Sequence, residues 1–169
     1  MEALKVGVLT VSDRVSRGEV ADGSGPLAAS ILEGWGLSAE VRVVPDGVDS
    51  VERGLRAFLD EDVALIVTTG GTGLGHRDLT PEGTAGVIDR PAPGLAEAMR
   101  AVTFGENPHG MLSRGVCGVA GTTLIVNLPG STRGVAESLA VIADAVPHAL
   151  DLLAGGGEDH VTRSRARAE

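Results

Sequence analysis

The run from Leu65 to Thr84, LIVTTGGTGLGHRDLTPEGT, constrains this chain more than any other stretch. Val63 to Thr69 is short, nearly continuously apolar and rich in β-branched residues, the composition of a central strand covered on both faces. Gly70, Gly71, Gly73 and Gly75 follow at once. Four glycines in six residues cost backbone entropy, so the backbone there must take positive φ or come very close to something. Thr80 then stands where a helix cap belongs, and Pro81 suits the first position of a helix running to about Asp89. Asp78 lies between loop and helix, where a ligand would sit.

The rest of the chain repeats that rhythm. Lys5 to Val11 predicts a first buried strand, followed by a polar loop from Ser12 to Gly25 and a helix from Pro26 to Trp35 that Gly36 ends. Ala39 to Val44 predicts a second strand, stopped by Pro45-Asp46-Gly47, and Asp49 with Glu52 forms a capping-box spacing for a helix to about Leu59. Strand and helix alternating in this way specify a parallel sheet with crossover helices. Beyond Arg90 the pattern loosens. Pro91-Ala92-Pro93-Gly94 marks a turn, Gly94 to Val102 a helix, and Phe104 to Gly110 a loop. Arg114 to Ala120 and Thr122 to Leu128 flank Gly121 as a hairpin or bent strand pair. Pro129-Gly130-Ser131 then turns into a long helix, Thr132 to about Leu153, interrupted near Pro147. Residues 1–154 form one domain on this reading, and 155–169 a flexible charged tail.

Composition removes several function classes. A net charge of −9 argues against a nucleic-acid surface, which needs Lys and Arg to neutralise phosphates. Trp35, Phe58 and Phe104 are the only aromatics, too few to stack bases in series. Cys117 is the single cysteine, so no internal disulfide forms, and its apolar setting marks a small core residue. The N-terminal apolar run is too short to span a bilayer and has no small-residue cleavage site, which predicts a cytoplasmic protein without membrane attachment.

In a parallel sheet with right-handed crossovers, the strand-to-helix loops emerge at the carboxyl edge, where ligands of open α/β sheets bind. Ser12-Asp13, Pro45-Asp46-Gly47 and Gly70 to Asp78 therefore converge. Carboxylates beside a glycine loop suggest Mg²⁺ and a polyphosphate, because Mg²⁺ commonly takes one or two protein carboxylates and fills its shell with water and phosphate oxygens. Two familiar phosphate motifs fail: His76-Arg77 stands where Walker A needs Lys and Ser or Thr, and His76 where a dinucleotide fingerprint needs glycine. Each acid also has a local reading, Asp46 as a turn residue, Asp13 and Asp78 as caps. His76, His109 and His148 lack ligand spacing, so no zinc site is expected. Arg77 and Arg114 are candidates for a phosphate or for surface ion pairs.

With TVSDRVSRG, DGSGP, VVPD, TTGGTGLGHRDLTPE, MLSR and NLPGS in view, residues 4–154 closely resemble the MogA/MoaB family of molybdenum-cofactor biosynthesis proteins, which includes the gephyrin G domain. The resemblance implies a three-layer α/β/α fold with a mostly parallel central sheet and a β-hairpin-like extension, assembled as a homotrimer. It implies Mg²⁺-dependent transfer of AMP from ATP to the phosphate of molybdopterin, with a molybdate-inserting partner protein downstream. On that likeness Asp46 and Asp78 carry catalysis and hold the metal. Gly70, Gly71, Thr72, Gly73 and Gly75 cradle nucleotide phosphates, and Ser113, Arg114, Pro129, Gly130 and Ser131 line the pterin and nucleotide site. Thr10, Ser12 and Asp13 match the first-loop motif. The R-D-L-T-P-E continuation is the adenylyltransferase-like version; the MoaB branch stays close, and with it a pterin carrier or scaffold that transfers no AMP.

Overall fold

A computed structural model describes residues 3–103 and 107–156. The expected tail falls almost wholly outside these residues, as does part of the loop expected at Phe104 to Gly110. Six strands form one sheet: β1 (Lys5–Val11), β2 (Ser38–Val44), β3 (Leu65–Thr69), β4 (Arg90–Pro91), β5 (Cys117–Ala120) and β6 (Thr123–Leu128), in the order β2-β1-β3-β6-β5-β4. The β1·β2, β1·β3 and β3·β6 pairs are parallel, whereas β5 runs antiparallel to both β6 and β4. The sheet is thus mostly parallel with a hairpin at one side, as the sequence predicts.

Side-chain alternation divides the apolar strands between two cores. Val6 and Val8 of β1, Leu65 and Val67 of β3, and Leu124, Val126 and Leu128 of β6 face one layer. That layer comprises α2 (Ser24–Gly34), α5 (Pro93–Ala101), α6 (Thr132–Ile142) and α7 (Ala145–Asp151). Leu9, Ile66 and Ile125 face the other, where α3 (Val48–Leu59) presents Val51, Leu55 and Phe58, and α4 (Thr80–Ala85) packs beside α3. Helices on both faces explain why β3 and β6 are buried along their whole length.

Local differences from the sequence reading have physical causes. The loop after β1 holds a short helix, α1 (Asp13–Ser16), because the Ser12 hydroxyl accepts the Val15 amide as its cap. The Asp49/Glu52 capping box does not form. Gly47, at φ +127°, turns the chain out of β2, and the Ser50 hydroxyl donates to the carbonyls of Pro45 and Gly47 instead. Thr80 is the first residue of α4 rather than its cap; its hydroxyl donates to Gly70 O (2.9 Å) and its amide to Gly71 O (3.0 Å), tying the helix to the glycine loop. Pro91, read as the start of a turn, instead forms an edge strand with Arg90. Within the loop expected at Phe104 to Gly110, a 3₁₀ helix starts at Pro108 and runs on past it, Pro108–Leu112. The long C-terminal helix is two helices, and the bend between α6 and the run Ala145–Gly155 is 62°. Among the described residues no single helix is long and apolar enough to cross a membrane.

Candidate functional site

Backbone meets backbone where β1, β3 and β6 end. Gly70 takes φ +92°, and a side chain there would place Cβ 2.4 Å from the Val11 carbonyl oxygen. Gly71 takes φ +64°, with its notional Cβ 2.2 Å from the Thr80 hydroxyl and 3.2 Å from Asp46 Oδ1. On the neighbouring loop, a Cβ on Gly130 would lie 3.1 Å from the Gly70 Cα. The glycines therefore bring three loops to a ridge that carries no side chains.

Acids surround this ridge. The Asp13 amide donates to Asp46 Oδ2 at 2.8 Å, and the Asp46 amide returns a bond to Asp13 Oδ1 at 3.2 Å. Arg77 grips the pair from outside, through Nε and Nη2 to the Asp13 carboxylate (3.0 and 3.1 Å) and through Nη2 to the Asp46 carbonyl at 2.7 Å. The hydrogen-bonded Arg77 guanidinium holds the Asp13 carboxyl below its ordinary range. Burial pushes Asp46 the other way, opposed by the Asp13 amide and reinforced by the negative charges of Asp13 and Asp78. Asp78 Oδ2 accepts the Gly75 amide at 2.9 Å, which folds the loop back on its own acid.

Two cavities share the ridge. The larger, about 520 Å³, runs from Gly70, Gly71, Thr72, Gly73 and Asp78 to Ser113, Pro129, Gly130 and Ser131, with an apolar wall of Ala96, Met99, Val102, Leu112 and Val141. The smaller, about 400 Å³, is polar: Thr10, Ser12, Asp22, Ser24, Asp46 and Thr69 line it. Gly70, Gly71, Asp78 and Gly130 belong to both. The structure thus gathers most of the expected site residues, although Asp13, Gly75 and Arg114 line neither cavity. Arg114 clamps the glycine loop instead: Nε donates to Gly73 O at 2.9 Å, Nη2 to Asp78 O, and Nη1 pairs with Glu82. Its amide donates to Thr72 O at 2.8 Å. Ser131 accepts the Gly134 amide as the cap of α6.

Sequence reasoning missed Asp22, Ser24 and Thr69. Asp22 accepts the Thr10 hydroxyl at 2.7 Å and the Gly25 amide at 2.9 Å, while the hydroxyls of Ser24 and Thr69 share a 2.8 Å hydrogen bond. The DGSGP run was the visible signal for Asp22 and Ser24, and Thr69 stands directly before the glycine loop. Arg100 and Met99, on the cavity-facing side of α5, had none. Cys117 is not a nucleophile, since burial pushes its thiol up to about 12.

The residues present fit a Mg²⁺ ion. Asp46 Oδ1 and Asp78 Oδ1 carry no hydrogen bond from the described residues, and both acids border the smaller cavity. Among the described residues no cluster of three His, Cys, Asp or Glu side chains forms.

A family model described as probable molybdopterin binding domain matches residues 7–148. The chain belongs to that family. Within the molybdopterin-binding-domain family it is 37% identical over 159 residues to a protein of Helicobacter pylori (strain J99) named molybdopterin adenylyltransferase, covering 92% of this chain and 90% of the relative. It is also 37% identical over 172 residues to molybdenum cofactor synthesis protein cinnamon of Drosophila melanogaster, covering 100% of this chain but 28% of that longer protein. Among solved structures, the molybdopterin biosynthesis enzyme MoaB from Thermus thermophilus is similar at 46% identity and a TM-score of 0.84, over 90% of this chain and 97% of that one.

Proposed function

We propose that this chain is a molybdopterin adenylyltransferase that transfers AMP from Mg-ATP to the phosphate of molybdopterin in molybdenum cofactor biosynthesis. The observation that carries the proposal is the pair of cavities meeting at one side-chain-free ridge beside Asp46 and Asp78. Two substrates that must react need two adjoining chambers and a thin boundary. The apolar wall of the larger chamber suits a ring system, and the polar lining of the smaller suits hydrogen-bonding groups. The H. pylori relative supports the reaction class.

In the transfer, a phosphate oxygen of the pterin attacks the α-phosphorus of ATP. A P–O bond forms there, the bond to the β-phosphate oxygen breaks, and pyrophosphate leaves with that electron pair. Positioning and charge neutralisation carry such a step, and no protein nucleophile is required. Mg²⁺ bound by Asp46 and Asp78 would supply the charge neutralisation on the phosphates. The glycine loop lets substrate phosphates approach the backbone, and Arg114 keeps that loop in place by holding Gly73 O and Asp78 O.

Asp78→Asn is expected to abolish AMP transfer, assayed with labelled ATP and molybdopterin, and to leave the circular dichroism spectrum intact. Wild-type turnover by that variant would remove Asp78 from the reaction. The similarity to MoaB favours a second reading, a carrier that holds the pterin and transfers no AMP. A wild-type protein that binds molybdopterin and forms no adenylylated product in the same assay would establish it. A cytoplasmic homotrimer serving a molybdate-inserting protein belongs to the same proposal. The exposed apolar side chains Leu74, Val102, Met111 and Leu112, two of which line the larger cavity, offer surface for such contacts.

A further inference from the structure

The Asp13 carboxylate is engaged by protein groups on both oxygens. Oδ1 accepts the Asp46 amide and Arg77 Nη2, and Oδ2 accepts Arg77 Nε. Arg77 is engaged as well, because Nη2 also donates to the Asp46 carbonyl. Neither residue lines either of the two cavities described above. Together they close a ring through the loops after β1, β2 and β3. One oxygen of this Asp13–Asp46 pair, Asp46 Oδ1, stays outside the ring and lies against Gly71.

We propose that Asp13 and Arg77 are positioning residues that fix the direction of the Asp46 carboxylate. The proposal rests on Asp46 being a working residue of the AMP transfer. The Asp13 amide pins Oδ2, which leaves Oδ1 as the oxygen turned toward the ridge. Arg77 holds Asp13 and the Asp46 backbone in one planar fork, a span that the point charge of a lysine does not reproduce. Arg77 also precedes Asp78, so the segment that orients one acid carries the other. The Arg77 side chain is 60% exposed, and an ion pair this wet adds little to stability, so its loss acts on geometry rather than on folding.

The test uses Arg77→Gln, Arg77→Lys, Asp13→Asn and the double variant Asp13→Asn/Arg77→Gln in the full chain. Both Arg77 variants are expected to lower kcat by about 10–100-fold, the usual effect of losing a partner that orients a metal-site carboxylate. KM for molybdopterin should change much less, and the thermal midpoint should stay within about 2 °C. The double variant should be no worse than Arg77→Gln alone. A ligand-free crystal structure of Arg77→Gln should show the Asp46 carboxylate turned from Gly71 with its bond to the Asp13 amide broken. Wild-type kcat in Arg77→Lys, or an Asp46 that has not moved in Arg77→Gln, overturns the proposal. If the wild-type protein transfers no AMP, the reaction assigned above fails, and the position of Asp46 in the Arg77→Gln structure decides the clasp by itself.

Discussion

Asp46 is held in an unfavourable charge state. Its carboxyl is partly buried and faces Asp13 and Asp78, so the folded protein binds a proton there more tightly than the unfolded chain does. Its contribution to stability is therefore complete below the ordinary carboxylate value of about 4 and is lost as pH rises through the raised one. Asp13 has the opposite sign: with Arg77 beside it, its contribution is present above the ordinary value and is lost as pH falls through the lowered one. Asp46→Asn keeps an oxygen for the Asp13 amide and removes the charge. We expect the variant to melt about 1–2 °C above wild type at pH 7, a shift of the size that a fraction of a kcal/mol produces at this length. The gain should vanish near pH 3, and AMP transfer should be lost. Thermal melts across pH 3 to 7 check the sign, and an unchanged or lower midpoint at pH 7 would show that Asp46 is not strained. A site acid whose removal stabilises the fold is the usual signature of function maintained against stability.

At the scale of elements, Asn127 joins three of them at the wall of the larger cavity. From the end of β6 its side-chain amide donates to Thr68 of β3 (3.0 Å) and Thr84 of α4 (2.9 Å), and its oxygen accepts the Val116 amide (3.2 Å) just before β5. All three side chains are buried. Asn127→Ala leaves two hydroxyls and an amide without that partner, and denaturant unfolding should report a loss of about 2–4 kcal/mol. This network shows where the sequence was legible and where it was not. The apolar runs at β1, β3 and β6 and the glycine-proline punctuation were readable because burial on both faces and positive φ demand particular residue types. The convergence of Asp46 and Asp78 was readable too, because parallel topology alone brings strand-to-helix loops to one edge. Asn127 and Arg114 owe their roles to bonds that reach 59 and 41 residues along the chain, and such pairings have no local signature. Thr80 and Asp49 were misread as well: each fitted a local capping pattern, but the Thr80 hydroxyl bonds back to Gly70 on the glycine loop, and at Asp49 the bonds of Ser50 to Pro45 and Gly47 won instead.

At the scale of the molecule, the order of strands in space departs from their order in the chain. β6, the last strand among the described residues, lies between β3 and β5, and its pairing with β3 runs from Leu65↔Leu124 to Thr69↔Leu128. During synthesis the Leu65–Thr69 edge is thus complete while its neighbour is still unmade. Domains assemble as the chain emerges, at about 5–20 residues per second, so the gap lasts for several seconds. An apolar strand with an open edge is a template for association. Nascent chains stopped before Leu128 should therefore be captured by a holdase or pellet, whereas chains extended past α7 should release soluble protein, as ribosome-bound stalled chains of graded length would report. The late insertion that brings Asn127 to the larger chamber is also the moment at which the newborn chain ceases to need protection.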